Sequence, residues 1–371
     1  MHSPSSARGL AALLTISLLF VTPGLRAQPA GRVVPDTVPA PSLAGNLLGD
    51  AERQPAFVYL PPGYDTEADW RYPVLYLLHG VLDSPEVWVE PVYDGMTIEA
   101  TMDSLIAAGE IGPAIVVMPN GRNAYGGSYY ANSPVSGGWA DFIARDLVAH
   151  MDRVYRTIPA RESRAILGHS MGGFGAIRLA MLHPEVFSVA WGMNPCCLCC
   201  LEGDLEGGPI SDPAFWNRMA SYTTAAEMWR ALEENRDVWP LILAGISAAF
   251  APAPDAPPLY VELPMAVEGG ELVETPGSER MAAALPIAHL AERVEALRSL
   301  RGLALDTAFD DEFAHIPIAA KAFSDSLVAL EVPHVFEVYE GDHRNRMRER
   351  MATKILPWID SRLQRADGIG P

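Results

Sequence analysis

Short runs of apolar residues, several of them bounded by Gly, Pro or Asn, recur along the chain from about residue 51. They cover residues 57–60, 74–78, 114–118, 165–167, 186–192, 303–309 and 335–339. Runs of this length with such boundaries are typical of buried parallel strands, because both faces of a parallel sheet are covered. The pattern therefore predicts a central sheet built on these strands.

Amphipathic stretches separate several of these runs. In residues 138–155 the apolar side chains recur at spacings of three and four, which places them on one face of a helix. These side chains are Trp139, Phe142, Ile143, Leu147, Met151 and Val154, and a similar stripe near the C-terminus is formed by Met347, Met351, Ile355, Trp358 and Ile359. The alternation of strands and helices predicts an α/β fold, with a mostly parallel sheet covered by helices on both faces.

The alternation stops between about residues 201 and 300. Helices are predicted over 224–235, 238–250 and 278–300, with a proline-rich piece at 251–258 and a turn at Gly269-Gly270. Because the strand pattern resumes afterwards, we interpret this segment as a cap inserted into a single domain that spans residues 51–365. Residues 28–50 contain four prolines and little periodicity, and are predicted to form an extended arm leading to that domain.

Composition and charge narrow the range of partners. The chain has 371 residues, of which 49% are apolar and 20% charged, so it is able to bury a large core. Its formal net charge of −19 repels phosphate backbones and anionic lipid headgroups. Nucleic acids and membrane surfaces are therefore not expected as partners, and the sequence leaves the oligomeric state open.

The N-terminus has the features of an export signal. An uncharged apolar run at residues 9–22 follows Arg8 and precedes Pro23 and the sequence Leu25-Arg26-Ala27. This run is too short to cross a bilayer comfortably but has the length of a signal-peptide core. We expect residues 1–27 to be a signal peptide, which predicts a periplasmic or secreted protein; an uncleaved membrane anchor is the alternative.

All four cysteines, Cys196, Cys197, Cys199 and Cys200, fall within five residues. A bridge between any two of them closes only a local loop, and a bridge between direct neighbours is strained. The spacing favours buried thiols or one local disulfide, between 196 and 199 or between 197 and 200. A soft-metal site is the less favoured alternative, because no nearby histidine completes a ligand set.

The strongest chemical signal is the segment Gly168-His169-Ser170-Met171-Gly172, which follows one predicted strand and begins a helical run. A serine on a tight strand-to-helix turn has its hydroxyl exposed above the sheet, and small residues two positions before and after it avoid clashes. The positive end of the following helix favours negative charge that develops there. Ser170 is therefore the candidate nucleophile.

A serine hydroxyl needs a neutral imidazole to accept its proton, and a carboxylate to orient that imidazole. His343 lies directly after the last predicted strand, where this architecture requires the base. The acid is expected after the preceding strand, where Asp311 is favoured and Asp310 remains open. His315 is the only competing histidine, and it is too close to the candidate acids to leave room for another strand.

Two backbone amides are candidates for stabilising an oxyanion. Met171 follows the nucleophile directly, and Val81 lies in the loop after the predicted strand 74–78. The long loop after Asn120 is rich in aromatic residues, and Tyr129, Tyr130 and Trp139 are candidates to stack on a sugar or an aromatic acyl group. A well-packed loop that buries its own rings is the alternative, and Trp239 of the insertion is interpreted as cap packing.

Four segments carry a family resemblance: YLLHG at 76–80, VMPNG at 117–121, GHSMGGFG at 168–175 and GDH at 341–343. They resemble the esterase family of α/β hydrolases that includes esterase D (S-formylglutathione hydrolase), feruloyl esterases and the antigen 85 mycolyltransferases. The resemblance covers residues 51–201 and 302–363. It implies an α/β-hydrolase fold, a Ser-acid-His triad, and neither a metal nor a cofactor.

The family pattern also agrees with two assignments made from the residues. In the family the second oxyanion donor follows the glycine of the strand-ending turn, as Val81 does, and the acid lies in a D-x-F context, as Asp311 does. Residues 201–300 match nothing specific, so the substrates of individual family members do not carry over.

The leading hypothesis is an exported serine esterase that hydrolyses small carboxylic esters or carbohydrate-linked acyl or feruloyl esters. An acyltransferase that passes the same acyl group to a sugar hydroxyl is the first alternative. A secreted binding protein with an idle site is the second.

Overall fold

A computed structural model describes residues 30–199 and 209–365 of the chain. The predicted signal peptide and Cys200 lie outside the described residues. The strands are β1 (Arg32–Pro39), β2 (Arg53–Leu60), β3 (Val74–Leu78), β4 (Ile115–Pro119), β5 (Asn132–Ser133), β6 (Gly137–Gly138), β7 (Arg164–His169), β8 (Val189–Met193), β9 (Met265–Glu268), β10 (Glu271–Glu274), β11 (Gly302–Ala308) and β12 (Val335–Tyr339).

The helices pack around a sheet of eight strands. They are α1 (Ile98–Ala108), α2 (Trp139–Asp141), α3 (Val148–Val154), α4 (Met171–Leu182), α5 (Pro213–Ser221), α6 (Ala225–Asn235), α7 (Trp239–Phe250), α8 (Pro276–Ala284), α9 (Leu290–Arg298), α10 (His315–Ala329), α11 (Met347–Arg350) and α12 (Leu356–Asp360). Two π-helical stretches, Phe142–Leu147 and Met351–Ile355, join α2 to α3 and α11 to α12, which agrees with the two amphipathic helices predicted from sequence.

The sheet has the order β1-β2-β4-β3-β7-β8-β11-β12. The pairs β1–β2 and β2–β4 are antiparallel, and all other neighbours are parallel. Its central strands β3, β4, β7 and β8 are buried along their whole length, as apolar strands covered on both faces should be. The predicted mostly parallel α/β sheet is confirmed.

Strand register brings distant parts of the chain to one edge of the sheet. Leu78 pairs with Gly168, and His169 pairs with Met193, which in turn pairs with Asp306. The carboxyl ends of β3, β7, β8, β11 and β12 therefore lie side by side, and the loops that follow them meet.

Part of the predicted N-terminal arm belongs to the sheet. Arg32–Pro39 forms β1, which pairs with β2 along its whole length. β1 is an edge strand, where Pro35 and Pro39 are tolerated because a proline has no N–H to offer a second neighbour.

The insertion between β8 and β11 contains the helices α5 to α9 and the hairpin β9–β10, whose turn is Gly269-Gly270 as predicted. The expected helix over residues 278–300 is wrong, because α8 ends at Ala284 and a short 3₁₀ turn, Pro286–His289, precedes α9. Pro286 lacks an amide hydrogen and its ring clashes with the preceding turn, so one continuous helix cannot form.

Cys196 and Cys197 are buried free thiols, which excludes both local disulfides considered from the spacing. Within residues 30–199 and 209–365, no three His, Cys, Asp or Glu side chains are grouped as a metal site. In the same part of the chain, no helix combines the length and hydropathy needed to cross a bilayer.

Candidate active site

Ser170 lies on a strained turn between β7 and α4, with φ of 57° and ψ of −118°. The flanking glycines are required by close backbone contacts. A Cβ atom at Gly172 would lie 2.2 Å from the carbonyl oxygen of Leu78, and one at Gly168 would lie 2.5 Å from the carbonyl carbon of Gly172. The turn therefore needs glycine at both positions.

His343 lies in the loop after β12, and its partner Asp311 lies in the loop after β11. The imidazole Nδ1 is 2.7 Å from Asp311 Oδ2, and both side chains are almost completely buried. The other oxygen of Asp311 accepts a hydrogen bond of 2.9 Å from the amide of Phe313. Asp310 is exposed, so of the two acids left open by sequence, Asp311 is the one that faces the imidazole.

Ser170 and His343 line one cavity of about 70 Å³, together with Val81. In the described part of the chain, Ser170 Oγ makes no hydrogen bond with His343. Catalytic hydrogen bonds are often long in structures without substrate and shorten when substrate binds.

Two backbone amides near Ser170 have no acceptor among the described residues. They belong to Met171, the first residue of α4, and to Val81. The loop that carries Val81 passes close to the serine, because a Cβ atom at Gly80 would lie 3.4 Å from Ser170 Cβ. A hydrogen bond of 2.8 Å from the amide of Leu82 to the carbonyl of Gly126 holds this loop. The two free donors suit an oxyanion.

The backbone of His343 is held by residues that sequence reasoning missed. Its carbonyl oxygen accepts hydrogen bonds from His169 Nε2, at 2.6 Å, and from Asn194 Nδ2, at 3.1 Å. Its amide donates to Glu312 Oε2 at 3.1 Å. Burial, followed by the nearby imidazole of His343, lowers the pKa of His169 well below its usual value, so His169 is neutral and its proton lies on Nε2.

Asn194 joins three strands of the sheet at this edge. It follows β8, its side-chain oxygen accepts from the amide of Ala308 at 2.7 Å, and its amide nitrogen donates to Tyr339 Oη at 2.8 Å. Its φ of 41° is a left-handed conformation that asparagine tolerates better than most residues. No sequence pattern marks this residue, because its partners are more than a hundred positions away.

The three aromatic residues predicted to contact substrate have different positions. Tyr129 lines the cavity and is buried. Tyr130 is fully buried and donates its hydroxyl to the carbonyl of His79, and Trp139 is fully buried against Phe142. The expected substrate contacts of Tyr130 and Trp139 are therefore corrected, because both rings are buried in the core and neither lines the cavity.

The insertion contributes one wall of the cavity through α7. The lining residues from this segment are Val238, Trp239, Ile242, Leu243 and Ile246. Trp239 packs at 5.9 Å on Phe313, which lies 5.1 Å from the ring of His343. Trp239 was expected only to pack within the cap, but in the structure it also forms part of the cavity wall. His315, the histidine that competed with His343 as the candidate base, also lines the cavity. The carboxylate of Asp311, however, faces His343.

A mostly parallel eight-stranded sheet with a serine on a strand-to-helix turn, and with an acid and a histidine after two later strands, defines an α/β-hydrolase fold. Residues 51–282 match the family described as "Putative esterase", and the chain belongs to this family.

Similar proteins agree with this assignment. An endo-1,4-beta-xylanase/feruloyl esterase of Xylanibacter ruminicola is 35% identical over 151 residues, which are 38% of this chain and 19% of that protein. The chain thus matches about a fifth of the length of this relative. A ferulic acid esterase structure has a TM-score of 0.56 at 21% identity, covering 90% of this chain and 99% of its own. The S-formylglutathione hydrolase of Staphylococcus aureus has a TM-score of 0.53 at 17% identity, covering 90% and 98%.

Proposed function

We propose that this protein is an exported serine esterase that hydrolyses carboxylic esters through an acyl-enzyme. The observation that carries the proposal is the 2.7 Å contact between Asp311 and His343 in a cavity that Ser170 also lines. The family assignment and the unpaired amides of Val81 and Met171 support the same reaction.

The reaction begins when Ser170 Oγ attacks the ester carbonyl and His343 Nε2 accepts the serine proton. Asp311 holds Nδ1–H and stabilises the imidazolium. The carbonyl oxygen becomes an oxyanion, which the amides of Val81 and Met171 stabilise by hydrogen bonds. His343 then gives its proton to the leaving alcohol oxygen, the C–O bond breaks, and an acyl-serine remains.

Water releases the acyl group in the second half of the reaction. His343 accepts a proton from the water as its oxygen attacks the acyl carbonyl, and the same two amides stabilise the second oxyanion. The proton returns to Ser170 as the carboxylic acid leaves. No metal or cofactor has a role in this sequence of steps.

The proposal covers two candidate groups of substrate, small carboxylic esters and carbohydrate-linked acyl or feruloyl esters. The feruloyl esterase named among the relatives supports the second group.

The export proposal rests on the N-terminal sequence pattern. It is tested by expressing the full chain and sequencing the N-terminus of the protein in the periplasm or medium, where cleavage after Ala27 is expected; full-length protein retained in the membrane fraction contradicts it.

The test of the reaction compares Ser170→Ala with Ser104→Ala on p-nitrophenyl esters. Ser104 is exposed on α1 and serves as the matched control. We expect Ser170→Ala to lose at least about a thousandfold in kcat and Ser104→Ala to be unchanged. Unchanged hydrolysis by Ser170→Ala contradicts the proposal. Reactions with an added sugar acceptor separate hydrolysis from acyl transfer, because the transferase alternative yields an acylated sugar.

A further inference from the structure

The cavity at Ser170 has two distinguishable sides. His343 gives a proton to the leaving oxygen, so the alcohol part of an ester lies on the side of the imidazole. Phe313 and Trp239 pack next to His343 and therefore border the alcohol side. The acyl part lies on the other side of the serine.

α7 lines the cavity from Trp239, which packs on Phe313, to Ile246. The helix advances about 10 Å between these two residues, so we assign its C-terminal half to the acyl side. This half packs on Tyr129, whose ring would lie 3.3 Å from a Cβ atom at Gly245. Cys196, whose amide donates to the carbonyl of Ser170 at 3.4 Å, lines the same cavity. Apart from the hydroxyl of Tyr129 and the imidazole of His315, which interacts with Cys197, the walls here are apolar side chains and thiols.

α7 is held firmly against the rest of the domain. Tyr129 Oη donates to the carbonyl of Ile242 at 3.2 Å, and Ser133 Oγ donates to the carbonyl of Ala248 at 2.5 Å. A Cβ atom at Gly245 would lie 3.0 Å from the carbonyl oxygen of Gly127, so the helix touches the backbone of the neighbouring loop. Moving α7 away from the cavity would break these contacts.

The cavity is small for an aromatic acyl group. Its volume is about 70 Å³, whereas a cavity of roughly 150 Å³ is known to accommodate benzene. A space of this size holds a few carbon atoms. A feruloyl group, with a substituted ring and a conjugated three-carbon arm, is larger than benzene, so the cavity favours the small acyl groups over the feruloyl group among the substrates proposed above.

Resting on the esterase function proposed above, we infer that α7 restricts the enzyme to short aliphatic acyl groups, from acetyl to butyryl, and that Ile246 forms the end of the acyl subsite. Ile246 is 2% exposed and lines the cavity on the face of α7 that also carries Ile242 and Leu243. The acyl carbon lies at Ser170, and the chain extends toward Ile246. Selection of the acyl group is then set by the insertion rather than by the sheet.

The first arm of the test measures kcat/KM for p-nitrophenyl acetate, butyrate, hexanoate, octanoate and ferulate with the natural chain. A single leaving group keeps the alcohol side constant. We expect an optimum at four carbons or fewer, with hexanoate and ferulate at least tenfold below butyrate. Hydrolysis of ferulate or octanoate within about threefold of butyrate overturns the inference and leaves the esterase proposal standing. The absence of hydrolysis of every ester contradicts the esterase proposal itself.

The second arm changes the size of the subsite. Ile246→Ala is expected to raise the hexanoate-to-butyrate ratio of kcat/KM by about tenfold, and Ile246→Phe to lower the butyrate-to-acetate ratio by a similar factor. Ile318→Ala, at an exposed position of α10, is the matched control and should leave both ratios unchanged. Because ratios are compared, partial loss of folded protein does not affect the result. Ratios unchanged in both Ile246 variants contradict the assignment of this residue.

Discussion

His169 Nε2 donates a hydrogen bond of 2.6 Å to the backbone carbonyl of His343. The residue before the candidate nucleophile thus holds the backbone of the candidate base, and the two imidazole rings lie 4.6 Å apart. Tyr93 Oη is 3.3 Å from the other ring nitrogen of His169 and donates to Asp83, in the loop that carries Val81. One set of contacts therefore links the serine turn, the histidine loop and the oxyanion loop.

Replacing His169 tests this link. We expect His169→Ala to lower kcat by about ten- to a hundredfold with little change in KM, because the imidazole of His343 loses its position rather than its chemistry. His169→Gln, whose amide is able to donate to the same carbonyl, should recover part of the loss. Steady-state kinetics on a p-nitrophenyl ester provide the measurement. His289→Gln, at a partly exposed site in the insertion, is the control. Equal loss in both His169 variants argues against the positioning role.

The choice between the two neighbouring acids is open to direct measurement. Asp311→Asn should lower kcat by about a thousandfold or more, because the amide no longer favours the required tautomer of His343. Asp310→Asn, at an exposed position, should remain within about threefold of the natural chain. A larger loss in Asp310→Asn than in Asp311→Asn would contradict the hydrogen-bond geometry.

Acid should destabilise the protein through His79. Its Nδ1 donates to the carbonyl of Gly80 at 2.8 Å, and its Nε2 accepts from the amide of Gly121 at 2.8 Å. Burial lowers the pKa of His79 below its usual value, so the unfolded state binds this proton at a higher pH than the folded state. The free energy of unfolding therefore falls as the pH drops below about 6.5, by up to ~1.4 kcal/mol per pH unit for this group.

Urea unfolding between pH 7.5 and 5.5 measures this dependence. His79→Gln cannot bind the proton, so its free energy of unfolding should fall less steeply over the same range. His289→Gln, at a partly exposed site, is the matched control. Parallel curves for the natural chain and His79→Gln would show that this imidazole does not contribute.

Asp50 should have the opposite dependence on pH. Its Oδ2 is buried without a hydrogen-bond partner in the described chain, and burial raises the pKa of this carboxyl to about 6. A raised pKa means that the contribution of this group to stability is greatest below pH 3.8 and is lost as the pH rises through about 6. Asp50→Asn should therefore stabilise the fold at pH 8, by on the order of 2 kcal/mol, and have little effect near pH 4.

Thermal and urea unfolding at the two pH values check this expectation. Asp255→Asn, at an exposed position in the proline-rich piece, is the control. Destabilisation by Asp50→Asn at pH 8 would mean that the charged form is favoured in the folded protein.

The sequence predicted those elements that are marked by patterns among neighbouring residues. The buried strands and the serine turn are marked by residues next to each other in the chain, and the order of Ser170, Asp311 and His343 follows from the order of the strands. β1 was expected only as an extended arm, because its prolines interrupt the apolar pattern and its pairing with β2 depends on a distant segment.

Contacts between distant residues account for what the sequence did not reveal. Asn194 and His169 act on His343 across more than a hundred residues, so no spacing rule identifies them. The sequence also did not reveal that the ring of Tyr130 lies in the core rather than in the cavity. The hydroxyl of Tyr130 donates to the carbonyl of His79, which is likewise distant in the chain. The role of α7 in the cavity wall depends on how the insertion packs, which its composition alone does not determine.

The wall formed by α7 belongs to a stretch of chain separate from the groups that would break the ester bond. Ser170, Asp311 and His343 follow strands of the sheet, whereas Leu243 and Ile246 belong to the insertion between β8 and β11. Replacing the insertion with one from another esterase should therefore change the acyl preference without moving the residues that break the ester bond. Any replacement helix must reproduce the close contact between α7 and the backbone at Gly127.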